Sequence, residues 1–202
     1  MTKKFKHIKD SQITITELML PSNSNFSGKI HGGYILNLMD QIAFACASKY
    51  CGSYCVTASV DTVNFLNPVE IGELVTLKAS VNYVGNSSMV VGIRVTSQNI
   101  QTGKVKHTNS SYFTMVAKNE KGENVKVPKL ILSNLEEVRH FYESINRISA
   151  KKEYLEGKFV ENDILNEESG GLTNESLVAF LENDPNFFFE GRFFDFKIAL
   201  VI

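Results

Sequence analysis

From Glu73 to Val84 apolar and polar positions alternate: Val75, Leu77, Ala79, Val81 and Tyr83 stand against Thr76, Lys78, Ser80 and Asn82. The same period of two resumes after Gly85-Asn86-Ser87, with Met89, Val91, Ile93 and Val95 on one face and Val90, Gly92, Arg94 and Thr96 on the other. A turn at Gln101-Thr102-Gly103 leads into a third run, Val105 to Ala117. Two earlier β-rich runs, Ile13 to Leu20 and Cys55 to Leu66, end at Pro21 and at Asn67-Pro68. Alternation in successive hairpin-linked runs predicts an antiparallel sheet with one solvated face.

Between the first two runs the pattern is different. Gly32 to about Tyr50 contains no Pro, no Gly after Gly33, and apolar residues on nearly every face, which predicts a helix buried in a core. Such a helix covers the other face of the sheet, giving an α+β layer pair of about 120 residues. Beyond Pro128 the helical period returns: Ser133-Asn134-Leu135-Glu136 reads as a capping box, and Leu135, Val138, Phe141, Ile145 and Ile148 recur at helical spacing. Gly157 to Gly171 reads as a polar linker. Thr173 reads as a second N-cap, with Leu172 and Leu177 as its hydrophobic staple, opening a short helix that ends near Asp184-Pro185. The run that follows fits strand and helix equally. The expected organisation is one α+β domain over 1–128 and a C-terminal helical extension with a Phe-rich tail over 129–202.

Composition narrows the function classes. The 202 residues carry a formal net charge of −1, which argues against a general nucleic-acid binder. Lys3, Lys4, Lys6 and Lys9 resemble the start of a secretory leader, but Asp10-Ser11-Gln12 follows where an apolar stretch is needed. No run reaches the roughly 18 apolar residues of a membrane span. The three cysteines, Cys46, Cys51 and Cys55, suit a reducing cytoplasm, and their spacing without a nearby His is not a usual zinc pattern, so no metal is expected. There is no Trp but 14 Phe, of which six fall between Phe187 and Phe196.

The candidate chemistry lies in Pro21 to Asp40. His31-Gly32-Gly33 immediately precedes the apolar helix, whose first N–H groups have no intrahelical partner and stabilise negative charge, including the oxyanion of acyl transfer. Asp40 lies two turns into the helix among Leu36, Met39, Ala43 and Phe44, an apolar setting in which a carboxylate suits general-base or nucleophile work. Asn25, in the preceding loop, suits orientation of a water or a carbonyl. Taken singly, each has a plain structural reading: turn glycines, a paired surface acid, a loop histidine.

Together they resemble a known signature. Pro21, Asn25-x-x-Gly28-x-Ile30-His31-Gly32-Gly33 and Met39-Asp40 resemble the hotdog-fold acyl-CoA thioesterases of the brain-type and YciA-like acyl-CoA hydrolase group. Val63-Asn64-Phe65-Leu66-Asn67-Pro68-Val69 with Gly72-Glu73 resembles that family's second-strand motif, and Gly85 to Ser88 and Thr108-Asn109 also fit. The similarity spans roughly residues 10–130 and implies a long helix wrapped by an antiparallel sheet. It implies a catalytic pair, Asn25 and Asp40, contributed by two different copies of the chain. A homodimer is then the minimum active form, with a hexamer built as a trimer of dimers as a further expectation. It also implies that Gly32 and Gly33 polarise the acyl carbonyl and that His31, Phe65, Asn86, Ser87 and Ser88 contact acyl-CoA. No cofactor is expected beyond the coenzyme A of the substrate itself.

Two rivals remain at this level. A hotdog hydratase or dehydratase uses a His with a carboxylate, and His31 with Asp40 matches that pairing. A non-catalytic acyl-CoA-binding protein is the other, although no basic recognition-helix segment accompanies the domain. The Phe-rich tail matches nothing in the resemblance. An oligomer contact, a lid over the acyl tunnel, a membrane-surface contact and packing on its own protomer all fit it.

Overall fold

The computed structural model describes residues 4–155 and 187–189, with side chains through residue 153. The chain divides into two units, Met1–Leu130 and Ile131–Ile202. The first contains strands β1 (Phe5–His7), β2 (Ile13–Leu18), β3 (Tyr54–Val60), β4 (Glu73–Val84), β5 (Ser88–Asn99) and β6 (Val105–Lys118), and helix α1 (Gly32–Cys51). Strand β7 (Lys129–Leu132) spans the division; helix α2 (Leu135–Leu155) and strand β8 (Phe187–Phe189) belong to the second unit.

Five strands form one antiparallel sheet in the order β2-β4-β5-β6-β3, and α1 lies against all five. The alternation in the sequence is the cause. Val75, Leu77, Ala79 and Val81 of β4, Met89, Val91, Ile93 and Val95 of β5, and Phe113, Met115 and Ala117 of β6 are buried and face the helix. The outward positions are mostly half-buried rather than fully solvated. From α1, Ile35, Leu38, Met39, Ile42, Ala43, Cys46, Ala47 and Tyr50 complete the core.

The helix is not buried all round, which corrects the expectation from its composition. Asn37, Asp40, Gln41 and Phe44 form an open stripe at helical spacing. Among the described residues the sheet order ends at β2 and β3, and the sheet covers one side of the helix, leaving this stripe open.

Two further expectations shift. Strand β3 ends at Val60, not Leu66: its register breaks between Thr57 and Ser59, and the segment after it is tied to β6 by scattered bonds, Asp61 N–H to Tyr112 O (3.0 Å), Ser111 Oγ to Asp61 O (3.2 Å), Leu66 N–H to Thr108 O (2.8 Å) and Asn67 Nδ2 to His107 O (2.8 Å), not by a ladder. The V-x-F-L-N-P-V motif is thus irregular chain leaving the sheet. The α2 cap is displaced by one residue. Asn134 Oδ1 accepts the Glu137 N–H at 3.0 Å, and the Glu137 carboxylate accepts the Ser133 N–H at 2.6 Å. Arg139 and Arg147 pair with Glu143 on the surface of α2. The expected linker and the Thr173 cap lie outside the described residues. Of the Phe cluster, Phe187–Phe189 is strand.

Candidate active site

The loop before α1 is organised by Asn25. Its side-chain oxygen accepts from Ser27 N–H (3.0 Å), Ser27 Oγ (2.7 Å) and Lys29 N–H (3.1 Å), folding the chain over Gly28, whose φ of +75° requires glycine. Lys29 then pairs with Glu70 at 2.5 Å, and Ile30 N–H bonds Val69 O, tying this loop to the V-x-F-L-N-P-V segment.

His31 is the N-cap of α1. Its Nδ1 accepts the Gly33 N–H at 3.0 Å, and its carbonyl takes the Tyr34 and Ile35 N–H groups. Three donors of the first turn are therefore engaged by one residue, leaving the Gly32 N–H free of His31. An accepting Nδ1 places the ring proton of a neutral His31 on Nε2. The Phe65 ring lies over Gly32: a Cβ there would meet Phe65 Cζ at 3.3 Å. One turn in, the Tyr34 hydroxyl donates to Glu17, which raises the Tyr34 pKa.

Asp40 sits about 12 Å along the helix axis from Gly32. It is exposed, not enclosed by apolar side chains as its sequence neighbours suggest, because Met39 and Ala43 turn into the core while Asp40 stays on the open stripe. Its Oδ1 accepts the Thr57 hydroxyl of β3 at 2.6 Å. Thr57, beside the β3 register break, was not singled out by sequence reasoning; a lone threonine in a strand carries no signal. Phe44, one turn beyond Asp40, meets Tyr54 edge-on, with ring centroids 5.6 Å apart. Asn25 and Asp40 are not joined within the chain: Asn25 serves its own loop and Asp40 bonds β3.

Protein VdlD of Helicobacter pylori is 42% identical over 137 residues, covering 68% of this chain and 78% of that protein. Bacillus subtilis YkhA, described as an uncharacterized acyl-CoA thioester hydrolase, is 30% identical over 151 residues, 75% of this chain and 88% of that one. The thioesterase superfamily pattern matches residues 27–104, the span that carries the His31 cap, Asp40 and Thr57.

The chain belongs to the thioesterase superfamily.

Its fold is the hotdog fold. A hexameric acyl-CoA thioesterase solved without ligand is 34% identical with a TM-score of 0.73, covering 75% of this chain and 97% of that one. The acyl-CoA hydrolase of Staphylococcus aureus, solved with butyryl coenzyme A, coenzyme A and coenzyme A disulfide, is 28% identical with a TM-score of 0.70, covering 76% and 94%. That hydrolase has also been solved with alanine in place of one aspartate, of one threonine, and of one asparagine.

In this thioesterase the expected contacts do not all fall at one place. His31, Gly32 and Phe65 share the end of the sheet where β2 finishes and β4 begins. The Asn86-Ser87-Ser88 turn lies at the other end, where β4 meets β5 and where α1 finishes. That turn is bound by its own chain: Asn86 O accepts from Val127 and Ser87 O from Ala117. All three cysteines are free and buried, and no group of His, Cys, Asp and Glu among the described residues is placed to hold a metal. Among the same residues, no helix is long and apolar enough to cross a membrane.

Proposed function

We propose that this thioesterase hydrolyses acyl-CoA to a free acid and coenzyme A, with Asp40 of one copy and Asn25 of another completing each site. The observation that carries the reading is the Thr57-to-Asp40 hydrogen bond. It fixes one carboxylate oxygen on an otherwise open helix face and leaves the other for an incoming water or carbonyl. The aspartate and threonine replaced in the S. aureus hydrolase lie the same number of residues apart as Asp40 and Thr57, and the asparagine precedes the aspartate by the same interval as Asn25 precedes Asp40, which supports the assignment.

In this mechanism the free Gly32 N–H, at the positive end of α1, polarises the thioester carbonyl and stabilises the oxyanion; Gly33 supports it by anchoring His31. Asp40 activates water as general base, or attacks the carbonyl and is released by water. Asn25 orients the water or the carbonyl, and the coenzyme A thiolate departs. Phe65 lines the acyl-CoA path beside Gly32, and the Asn86-Ser87-Ser88 turn reaches coenzyme A from a neighbouring copy. The working unit is a homodimer or larger, in keeping with the hexameric relative. No cofactor is required. With three free thiols, the proposed place of work is the cytoplasm.

His31 weighs against the hydratase alternative. Its Nδ1 is occupied by the helix cap, so its visible task is structural. The test is release of free thiol from a series of acyl-CoAs by Asp40→Asn and Asn25→Ala, singly and co-expressed. Each alone is expected to be nearly inactive, while co-expressed chains regain activity because one site of a mixed dimer is intact. Near-wild-type kcat/KM in both single variants would sink the assignment; no recovery in co-purified mixed dimers would sink the two-copy site.

A further inference from the structure

At the far end of α1 from Gly32 the structure gathers two thiols that the proposed chemistry does not use. Cys51 is the last residue of the helix. Gly52 follows in the left-handed region at φ +74°, its N–H bonding Ser48 O at 2.8 Å, and this turn returns the chain so that Cys55 enters β3 beside Cys51. The two sulfurs are 3.4 Å apart, and both thiols point at the same acceptor, Ser53 O, at 3.5 and 3.7 Å. They are buried, at 4% and 1% exposure. An open cleft of about 710 Å³ is lined by Gly52, Ser53, Tyr54 and Val56, so solvent reaches the turn that joins them.

We propose that Cys51 and Cys55 are an oxidisable dithiol that closes to a disulfide in response to hydrogen peroxide. The third thiol, Cys46, has no such partner relation: burial pushes its pKa up to about 12, which keeps it unreactive. In the pair, the contact with Cys55 lowers the Cys51 pKa against the effect of burial, with nearby backbone hydrogen bonds and then the Lys6 ammonium adding to it, while the same contact and burial raise that of Cys55. Cys51, the less deeply buried of the two and next to Tyr50, whose carbonyl holds the Lys6 ammonium, is assigned as the attacking sulfur, and Cys55 as the resolving one.

The chemistry balances within the pair and the peroxide. The Cys51 thiolate attacks one peroxide oxygen, the O–O bond breaks, and the departing hydroxide takes up a proton to become water, leaving a sulfenic acid on Cys51. Cys55 then loses its proton and attacks the sulfenic sulfur; the S–O bond breaks and a second water leaves. Two thiols have given two electrons, and one peroxide has become two waters. The sulfurs must close to about 2.05 Å, which draws the start of β3 toward the end of α1. Thr57, two residues beyond Cys55 on the same face of β3, holds Asp40, so oxidation displaces the hydroxyl that positions the acid. This coupling rests on the reading of Asp40 given above; the dithiol itself does not.

The test treats reduced full-length protein with hydrogen peroxide, then counts thiols under denaturing conditions and maps disulfide-linked peptides. One of the three thiols is expected to remain titratable, with Cys51 linked to Cys55 and the link reversed by dithiothreitol. Cys46→Ala should still form it. Cys55→Ala should instead accumulate a dimedone-reactive sulfenic acid at Cys51. Three persistent thiols, or any other pairing, would overturn the proposal in the wild-type protein, whatever the variants do. Turnover of acyl-CoA should fall on oxidation and return with dithiothreitol, and should not respond to peroxide in Cys51→Ala. A mapped Cys51–Cys55 link with unchanged turnover would overturn the coupling to Asp40. Because thiol counting needs no catalysis, its result is separate from any failure of the thioesterase assignment.

Discussion

The two ends of α1 are built from the same helix and finished in opposite ways. At the start, an exposed histidine engages three backbone donors, a glycine N–H remains unengaged by it, and the neighbouring loop is bonded mainly to itself. At the finish, Tyr50 is fully buried, with its hydroxyl bonding the Pro128 and Lys129 carbonyls at 3.3 and 3.1 Å, and two thiols converge behind a left-handed glycine. Burial there pushes the Tyr50 pKa up, with Asp10 and Cys51 adding to the effect. The polar groups at the start lie open, whereas the Tyr50 hydroxyl at the finish is bonded within the fold. The sharpest contrast is between the exposed Asp40 face, where changes should act on turnover, and the buried Tyr50 hydroxyl, where they should act on stability.

The largest expected departure is at Asp40, on the open stripe between the two ends. Asp40→Asn should lower kcat by about 10²–10⁴-fold, the range of a lost general base, with Tm unchanged because the side chain is exposed. Thr57→Ala should lower kcat by roughly tenfold or more, a hydrogen bond to a charged group being worth about 1.5–3 kcal/mol. Thr57→Ser should restore most of it. If Thr57→Ala instead lowers Tm and leaves kcat alone, the threonine belongs with the structural end.

Smaller effects test the ends themselves. Tyr50→Phe should cost about 1 kcal/mol and about 3 °C in thermal denaturation, with kcat intact. His31→Ala should cost a similar amount as a lost cap, and His31→Asn should recover it, since asparagine also caps well. A kcat that Asn does not rescue would return His31 to the catalytic list. The mildest effect concerns Glu73, buried at 5% exposure. Burial raises its pKa, but the Glu70 N–H at 3.0 Å and Lys106 at 2.9 Å more than offset this and hold it below the usual range. Its contribution is present above the ordinary carboxylate pKa and is lost as pH falls through the lowered value. Glu73→Gln should therefore flatten the acid limb of a Tm-versus-pH curve.

Much of the fold was legible because period-two patterning reports directly on which face is buried. β4 was placed to the residue, and β5 and β6 within a few residues at their ends. What failed was local to chain leaving regular structure. Phe65 and Leu66 close a β-rich run, yet ladder pairing stops at Val60, just beyond the register break at Thr57 and Ser59, and leaves them outside the strand. Of the candidate site, the His31-Gly32-Gly33 segment could be placed at the start of α1 from its position, but the task of His31 could not, since capping depends on a ring orientation. Thr57 was invisible, because its significance lies entirely in what stands opposite.

The hydrophobic pattern alone determined one antiparallel sheet, one long helix against it, and an acid two turns into that helix. Only the tertiary structure decided that Asp40 faces outward, that Thr57 holds it, that the Gly33 N–H is engaged by His31 while that of Gly32 is not, and that Cys51 meets Cys55. The physical reason is that patterning reports burial, which is summed over many residues and tolerant of error. A site depends on the direction of a few single bonds, and those are set by elements distant in the chain.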